Sequence, residues 1–282
     1  VSRVAYVNGL YLPHARASVH VEDRGYQFAD GVYEVLYLNG GHAVDAGLHL
    51  DRLERSLAEL RIRPPMGRAA LEAVIAEVIA RNRRRHGLVY IQVTRGVARR
   101  EHIFPAPQTR PSLVITLRRA PAPPADLESW AARAITLPDE RWARCDIKSV
   151  SLLPNVLAKQ AAREQGAVEA ILFDAAGMVT EGAATSVWIV DAAGALRTRA
   201  LSHAILPGCT RAALLAEADV AVEQLAFSVQ ELRAAREVFL TSASSFVRPI
   251  VCVDGQAVSD GLVGPVTQRL FKVFGRHLRQ RQ

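Results

Sequence analysis

The stretch RWARCDIKSVSLLPNVLAKQ, residues 141–160, decides the reading of the chain. It holds Lys148 and Lys159, and the only other lysine is Lys272, so arginine supplies 32 of the 35 basic residues. Arginine keeps its proton at every accessible pH, whereas lysine can lose it. A nucleophile that must add to a carbonyl and form a Schiff base needs a neutral amine, and so must be lysine. In a chain written in arginine, each retained lysine becomes a candidate for that chemistry. Spacing leaves two of them open. Lys148 lies after a predicted strand and before a predicted helix, while Lys159 lies inside that helix, where it equally serves as a solvated charge.

Outward from this stretch, SLLPNVLAKQAAREQG has helical spacing with Gly166 as its C-cap. Strands are predicted at ARAITLP before it and at AILFD and SVWIVD after it. Helices follow at CTRAALLAEA and SVQELRAA, then a strand at VFLTSA, a hairpin at VCVDGQAV and a final helix at PVTQRLFKVFGRHL. Toward the N-terminus, VSRVAYVNGLYL is a strand pattern that turns at Asn8-Gly9, and GVYEVLYLNGGHAV turns again at Asn39-Gly40-Gly41. LHLDRLERSLAEL and RAALEAVIAEVIARNRRR carry helical spacing, and LVYIQVTRG and PSLVITLRR are strand-length apolar runs. The stretch APAPPAD, residues 120–126, holds three prolines and makes a stiff connector. The expectation is an α+β protein of two domains: 1–119, a linker at 120–126, and 127–282 carrying the reactive lysine.

Composition narrows the function. Half of the 282 residues are apolar and 22% are charged, an ordinary soluble mix, and no apolar run reaches the roughly 20 residues that span a bilayer. Three widely spaced cysteines, Cys145, Cys209 and Cys252, fit a reducing compartment and no CxxC metal site, so the expected location is cytoplasmic, with no metal and no membrane partner. A net charge of +7 raises nucleic-acid binding. The basic residues are scattered, however, and the densest run, Arg81-Asn82-Arg83-Arg84-Arg85, falls near a helix end, where cations suit the dipole. A basic nucleic-acid-binding module is the rival of a different class, and no nucleic-acid partner is expected.

Seven segments in order carry a resemblance: EDRGYQFADGVYEV, HLDRL, QVTRGVARREHIFP, the opening stretch, AILFDAAGMVTEGAATSVW, ILPGCTR and FLTSASS. Together they resemble the fold-type IV aminotransferases that use pyridoxal phosphate, and within these the D-amino-acid transaminases, over essentially the whole chain. The resemblance implies that Lys148 carries the cofactor, whereas Lys159 matches a helix lysine with no catalytic role. It implies that Glu181 faces the pyridine nitrogen, where an anion keeps the ring protonated and electron-withdrawing. Phosphate contacts fall to Arg52, a planar fork of donors, to the turn Gly208-Cys209-Thr210 at a helix start, and to the loop Ser242-Ala243-Ser244. Cys209 acts there through its N–H, and Leu206 matches the apolar residue on one ring face.

Two departures concern cofactor affinity. Ala183-Ala184-Thr185 follow Glu181-Gly182 where serines are common, and Ala243 stands where a threonine is common. Each missing hydroxyl is worth about 1 kcal/mol. Arg100 and His102 match the arginine-x-histidine pair that, with a tyrosine matching Tyr33, grips the substrate α-carboxylate; Glu101 stands between them where a small residue is usual. This pair separates the D-amino-acid reading from a branched-chain L-amino-acid or (R)-amine transaminase of the same fold, and from the more distant aminodeoxychorismate lyase. The implied activity is transfer between D-amino acids, D-alanine foremost, and 2-oxo acids such as 2-oxoglutarate, by a homodimer.

Overall fold

The Asn-Gly turns set the first sheet. In the computed structural model, which describes residues 3–280, β1 (Val4–Val7) and β2 (Leu10–Pro13) pair with Val7 opposite Leu10. Asn8 and Gly9 both take positive φ, 46° and 100°, which a two-residue turn matched to strand twist requires. The second turn repeats the device. β3 (Gly31–Asn39) meets β4 (His42–Ala43) with Gly40 and Gly41 both at positive φ. With β5 (Gly87–Thr94) and β6 (Ser112–Arg118) these strands form a six-stranded sheet in the order β2-β1-β6-β5-β3-β4. A short helix, α1 (Arg24–Phe28), precedes β3. Two longer ones, α2 (Ala46–Glu59) and α3 (Arg68–Asn82), bury Leu50, Leu53, Leu57, Leu71, Ile75 and Val78 in one core with strand residues such as Leu36, Val89 and Ile115.

The second sheet has nine strands. β7 (Ala132–Pro138), β8 (Glu169–Phe173), β9 (Val179–Gly182), β10 (Ser186–Val190), β11 (Leu196–Thr198), β12 (Val222–Gln224), β13 (Glu237–Ser242) and β14 (Phe246–Val253) run in the order β12-β11-β10-β13-β14-β7-β8-β9, with β15 (Gln256–Ala257) on β14. The last hairpin turns at Asp254-Gly255, again both at positive φ. Around this sheet lie α4 (Leu153–Glu164), α5 (Cys209–Glu217), α6 (Val229–Arg233) and α7 (Pro265–Gln280). Phe227, Leu232, Val238, Leu240 and Ile250 fill its core.

Three details differ from the sequence expectation. Gly166 lies one residue beyond the α4 cap, which is Gln165; its φ of 67° is the left-handed turn that ends the helix. The basic run 81–85 contributes only Arg81 to the last turn of α3, because Arg83 already adopts the left-handed cap. The third detail concerns Lys148. The described chain separates into two compact units, and residues 147–151 group with the first, up to residue 122, rather than with 123–146 and 152–280. Hydrogen bonding explains it. The Tyr33 N–H donates to the Lys148 carbonyl at 3.0 Å, the Val150 N–H donates to the Gly31 carbonyl at 3.0 Å, and Ser149 bridges to Val32. Ile147 completes the first core. The start of the predicted first strand, Val1 and Ser2, and the end of the predicted second domain, Arg281 and Gln282, lie outside the described residues.

Candidate active site

In the first unit, strand β3 presents Tyr33 and Glu34 to opposite sides, since successive side chains of a strand alternate. The half-buried Lys148 amine lies 4.3 Å from the centroid of the Tyr33 ring, and the Lys148 N–H donates to Ser56 Oγ of α2 at 3.3 Å. Tyr33 also packs on Tyr90, with centroids 5.7 Å apart. Burial, and then the neighbouring Tyr33, push the Tyr90 hydroxyl up to about 12, so it remains a neutral donor to Gln92 Oε1 at 2.7 Å.

Glu34 is fully buried, a residue the sequence reading passed over. Its two oxygens take Arg52 in a fork, Nε to Oε1 at 2.8 Å and Nη2 to Oε2 at 2.9 Å, and His49 Nδ1 lies 2.7 Å from Oε2. His49 and Arg52 fall on one face of α2 at i and i+3. Arg52 is thus held in one plane by a buried anion. Burial alone would raise the Glu34 carboxyl, but the Arg52 charge and the hydrogen bonds from Arg52 and His49 outweigh it and hold it at about 2. The sign follows. A carboxyl depressed in the folded state contributes stability that is complete above its ordinary value of 4.5 and is lost as pH falls toward 2. Glu34→Gln is expected to cost about 3–5 kcal/mol at neutral pH, because it leaves a buried guanidinium short of its anion. The stability difference from the unmodified protein, measured by urea unfolding, should shrink as pH drops below 4.5. A difference that stays constant down to the acid transition would contradict this account.

Arg100 and His102 sit together in the same unit, both exposed and both against Phe28. The Arg100 guanidinium lies 4.9 Å from the ring centroid, and the His102 ring 5.4 Å from it. Among the described residues, no hydrogen bond, ion pair or ring contact joins Tyr33 to either of them. The Glu101 side chain is exposed and makes no ion pair with Arg100.

In the second unit, Glu181 lies on strand β9 and is buried. Arg141 Nη1 donates to its Oε1, and the Leu206 N–H donates to its Oε2 at 3.1 Å. Arg141 is itself gripped by Asp139 through Nε at 2.9 Å and Nη2 at 2.7 Å, and Asp139 takes the Thr180 hydroxyl at 2.6 Å. Burial works against the Arg141 charge, but Asp139 and Glu181 reverse this and raise its affinity for its proton. The same burial pushes the nearby Cys145 thiol up to about 11, so it is no thiolate nucleophile. The sequence reading named neither Arg141 nor Asp139; the signal it passed over was a charged pair, Asp139 and Arg141, directly after a strand.

Two loops reach one end of the β10–β13 pair, where Ser186 stands opposite Thr241. Gly208, the N-cap of α5, lies so close that a Cβ there would come within 2.8 Å of Ser186 Oγ. Ser242 follows Thr241, its hydroxyl accepting from the Ser245 N–H at 3.0 Å and lying 3.4 Å from Ser244 Oγ. No side chain caps α5, which begins at Cys209 and Thr210, and a helix start of this kind suits an anion. Thr185, the hydroxyl after the two alanines, donates to Glu169 at 3.1 Å. Lys159 is tied down as well: its Nζ donates to the Val168 carbonyl and lies 3.3 Å from Glu169. Within the second unit, a buried carboxylate set between a cation and a backbone N–H suits a protonated ring nitrogen, and an uncapped helix start suits an anion; within the first, a half-buried amine suits an aldehyde.

A model of the amino-transferase class IV family matches residues 31–253. The D-alanine aminotransferase of Staphylococcus haemolyticus is 38% identical over 279 residues, 98% of each chain. That of Listeria innocua is 40% identical over 95% of this chain and 93% of its own. Among solved structures, the branched-chain aminotransferase of the archaeon Thermoproteus uzoniensis, with norvaline, shares the fold, with a TM-score of 0.87 at 22% identity over the whole of this chain and 97% of that one. The chain belongs to the class IV aminotransferase family.

Proposed function

We propose that this chain is a pyridoxal-phosphate D-amino-acid transaminase, with D-alanine as donor and 2-oxoglutarate as acceptor. The likeness to D-alanine aminotransferases over nearly the full length supports the substrate class. The observation that carries the chemistry is the Lys148 amine, half-buried over the Tyr33 ring, while Lys159 is held by the Val168 carbonyl and Glu169.

When bound, pyridoxal phosphate withdraws electrons from the substrate Cα and stores the amino group between two half-reactions. Lys148 Nζ would hold the cofactor by condensing with its aldehyde and losing water, and, once displaced by the substrate amine, would move the proton at Cα. Glu181, which accepts from Arg141 and the Leu206 N–H, would hold the proton on the ring nitrogen. Arg52, the N–H groups of Gly208, Cys209 and Thr210, and the loop Ser242-Ala243-Ser244 would hold the phosphate, and Leu206 would pack on the ring. Tyr33, Arg100 and His102 take the substrate carboxylate. The two substrates use one site in turn, so kinetics are ping-pong. The working form is a homodimer in the cytoplasm, a location supported by the odd, scattered cysteines.

The test is an absorbance spectrum of the yellow holoenzyme during sequential additions. D-alanine is expected to bleach the cofactor band and release pyruvate, 2-oxoglutarate to restore it, and L-alanine or L-leucine to leave it unchanged over the same time. A response to L-leucine and not to D-alanine would sink the reading.

A further inference from the structure

We propose that Phe28 and Arg24 are positioning residues that hold Arg100 and His102 ready for the substrate carboxylate. The inference rests on the carboxylate role given to that pair above. The short helix α1 carries an unusual load. Asp23 caps α1, accepting from the Gly25 N–H at 2.8 Å, and takes the Thr94 hydroxyl at the end of β5 at 3.0 Å. The helix is thereby fixed to the sheet. Its two ends then grip three consecutive residues of the 99–104 loop. Buried Arg24 donates through Nη1 to the Glu101 carbonyl at 2.6 Å. Phe28 meets Arg100 and His102, the residues on either side of Glu101. The Arg24 guanidinium itself lies 4.8 Å from the Phe28 ring centroid, so ring and clasp support each other.

A second clamp holds the rest of the loop. Asp30 takes Arg24 Nε at 2.8 Å and Arg95 through two bonds of 2.8 and 2.9 Å. Arg95 also donates to the Leu60 and Arg61 carbonyls, and its guanidinium lies 3.8 Å from the Phe104 ring centroid. Two carriers of long or mobile side chains on an exposed loop would otherwise sample many rotamers, and capture of a carboxylate would have to order them. The Phe28 face attracts the Arg100 cation and restricts both side chains before substrate arrives. Glu101 fits this arrangement because its backbone is the element in use, so its side chain is free of any role in the grip.

The experiment compares holoenzyme carrying Phe28→Leu, Phe28→Met, Phe28→Tyr and Arg100→Ala, and the Phe28→Leu/Arg100→Ala double variant. Phe28→Leu and Phe28→Met keep the apolar bulk and remove the aromatic face. Each is expected to raise KM for D-alanine and 2-oxoglutarate together by about three- to thirtyfold, the range of one cation–π contact, with kcat within about twofold. Phe28→Tyr restores the face and should restore KM. The double variant should lose less than the product of the two single losses, because both act through Arg100. Calorimetric affinity for D-lactate, a carboxylate with no amino group to transfer, should fall in parallel. If Arg100→Ala raises KM while both Phe28 variants leave KM and D-lactate affinity unchanged, or lower kcat alone, the positioning role is overturned. If Arg100→Ala is itself silent, the carboxylate role beneath it is overturned and this inference with it.

Discussion

Replacing Lys148 with alanine is expected to lower turnover by at least about 10³-fold and to leave the cofactor without covalent attachment. In the proposed function the lysine serves twice, as attachment point and as carrier of the Cα proton, and general acid–base catalysis alone contributes about 10²–10⁴-fold. The other two lysines cannot take over. Lys159 is bound to the Val168 carbonyl and beside Glu169 on α4, and Lys272 is exposed on α7. Borohydride reduction of the holoenzyme followed by peptide mapping should place the cofactor on the peptide containing Lys148. Label on Lys159 or Lys272, or residual turnover above about 10% in Lys148→Ala, would remove the assignment; the same variant at Lys159 should remain active.

Glu181→Gln is expected to slow the reaction by about 10²–10³-fold, the usual consequence of removing one preorganised electrostatic partner from a site, while the cofactor stays bound. The structure explains why this variant should still fold. Arg141 keeps both of its bonds to Asp139, so loss of the Glu181 charge does not orphan a buried cation. The neutral amide can still accept from the Leu206 N–H, but it cannot hold the ring nitrogen's proton as an anion does. Cofactor content by absorbance and turnover per bound site should be measured together. Loss of cofactor with ordinary turnover at the sites that remain filled would contradict the electronic role and leave only a binding one.

How far the sequence carried depended on whether the deciding contact was local. The turns at Asn8-Gly9, Gly40-Gly41 and Asp254-Gly255 were legible because positive φ selects those residues one position at a time. Helices α2 and α5 were legible because a buried stripe repeats every turn. The short strands β9, β11 and β12 were not, since three or four residues set no period. Glu34 was missed for a different reason. A glutamate within an apolar strand declares a partner without naming it, and His49 and Arg52 arrive only when α2 packs on β3. Arg24 gripping Glu101, and Arg141 meeting Glu181, join residues far apart in the chain, so no window of sequence holds both members.

The grouping of residues 147–151 with the first unit has a consequence for the order in which the protein is made. Strand β3 leaves the ribosome early, but Val32 and Tyr33 wait for Ser149 and Lys148, and the first core waits for Ile147. At about 5–20 residues per second the delay is on the order of ten seconds. For that interval the nascent chain carries a sheet edge and a core gap that only a later segment can close, and chaperone occupancy should peak there. Lys148 is accordingly among the last pieces of its unit to be ordered.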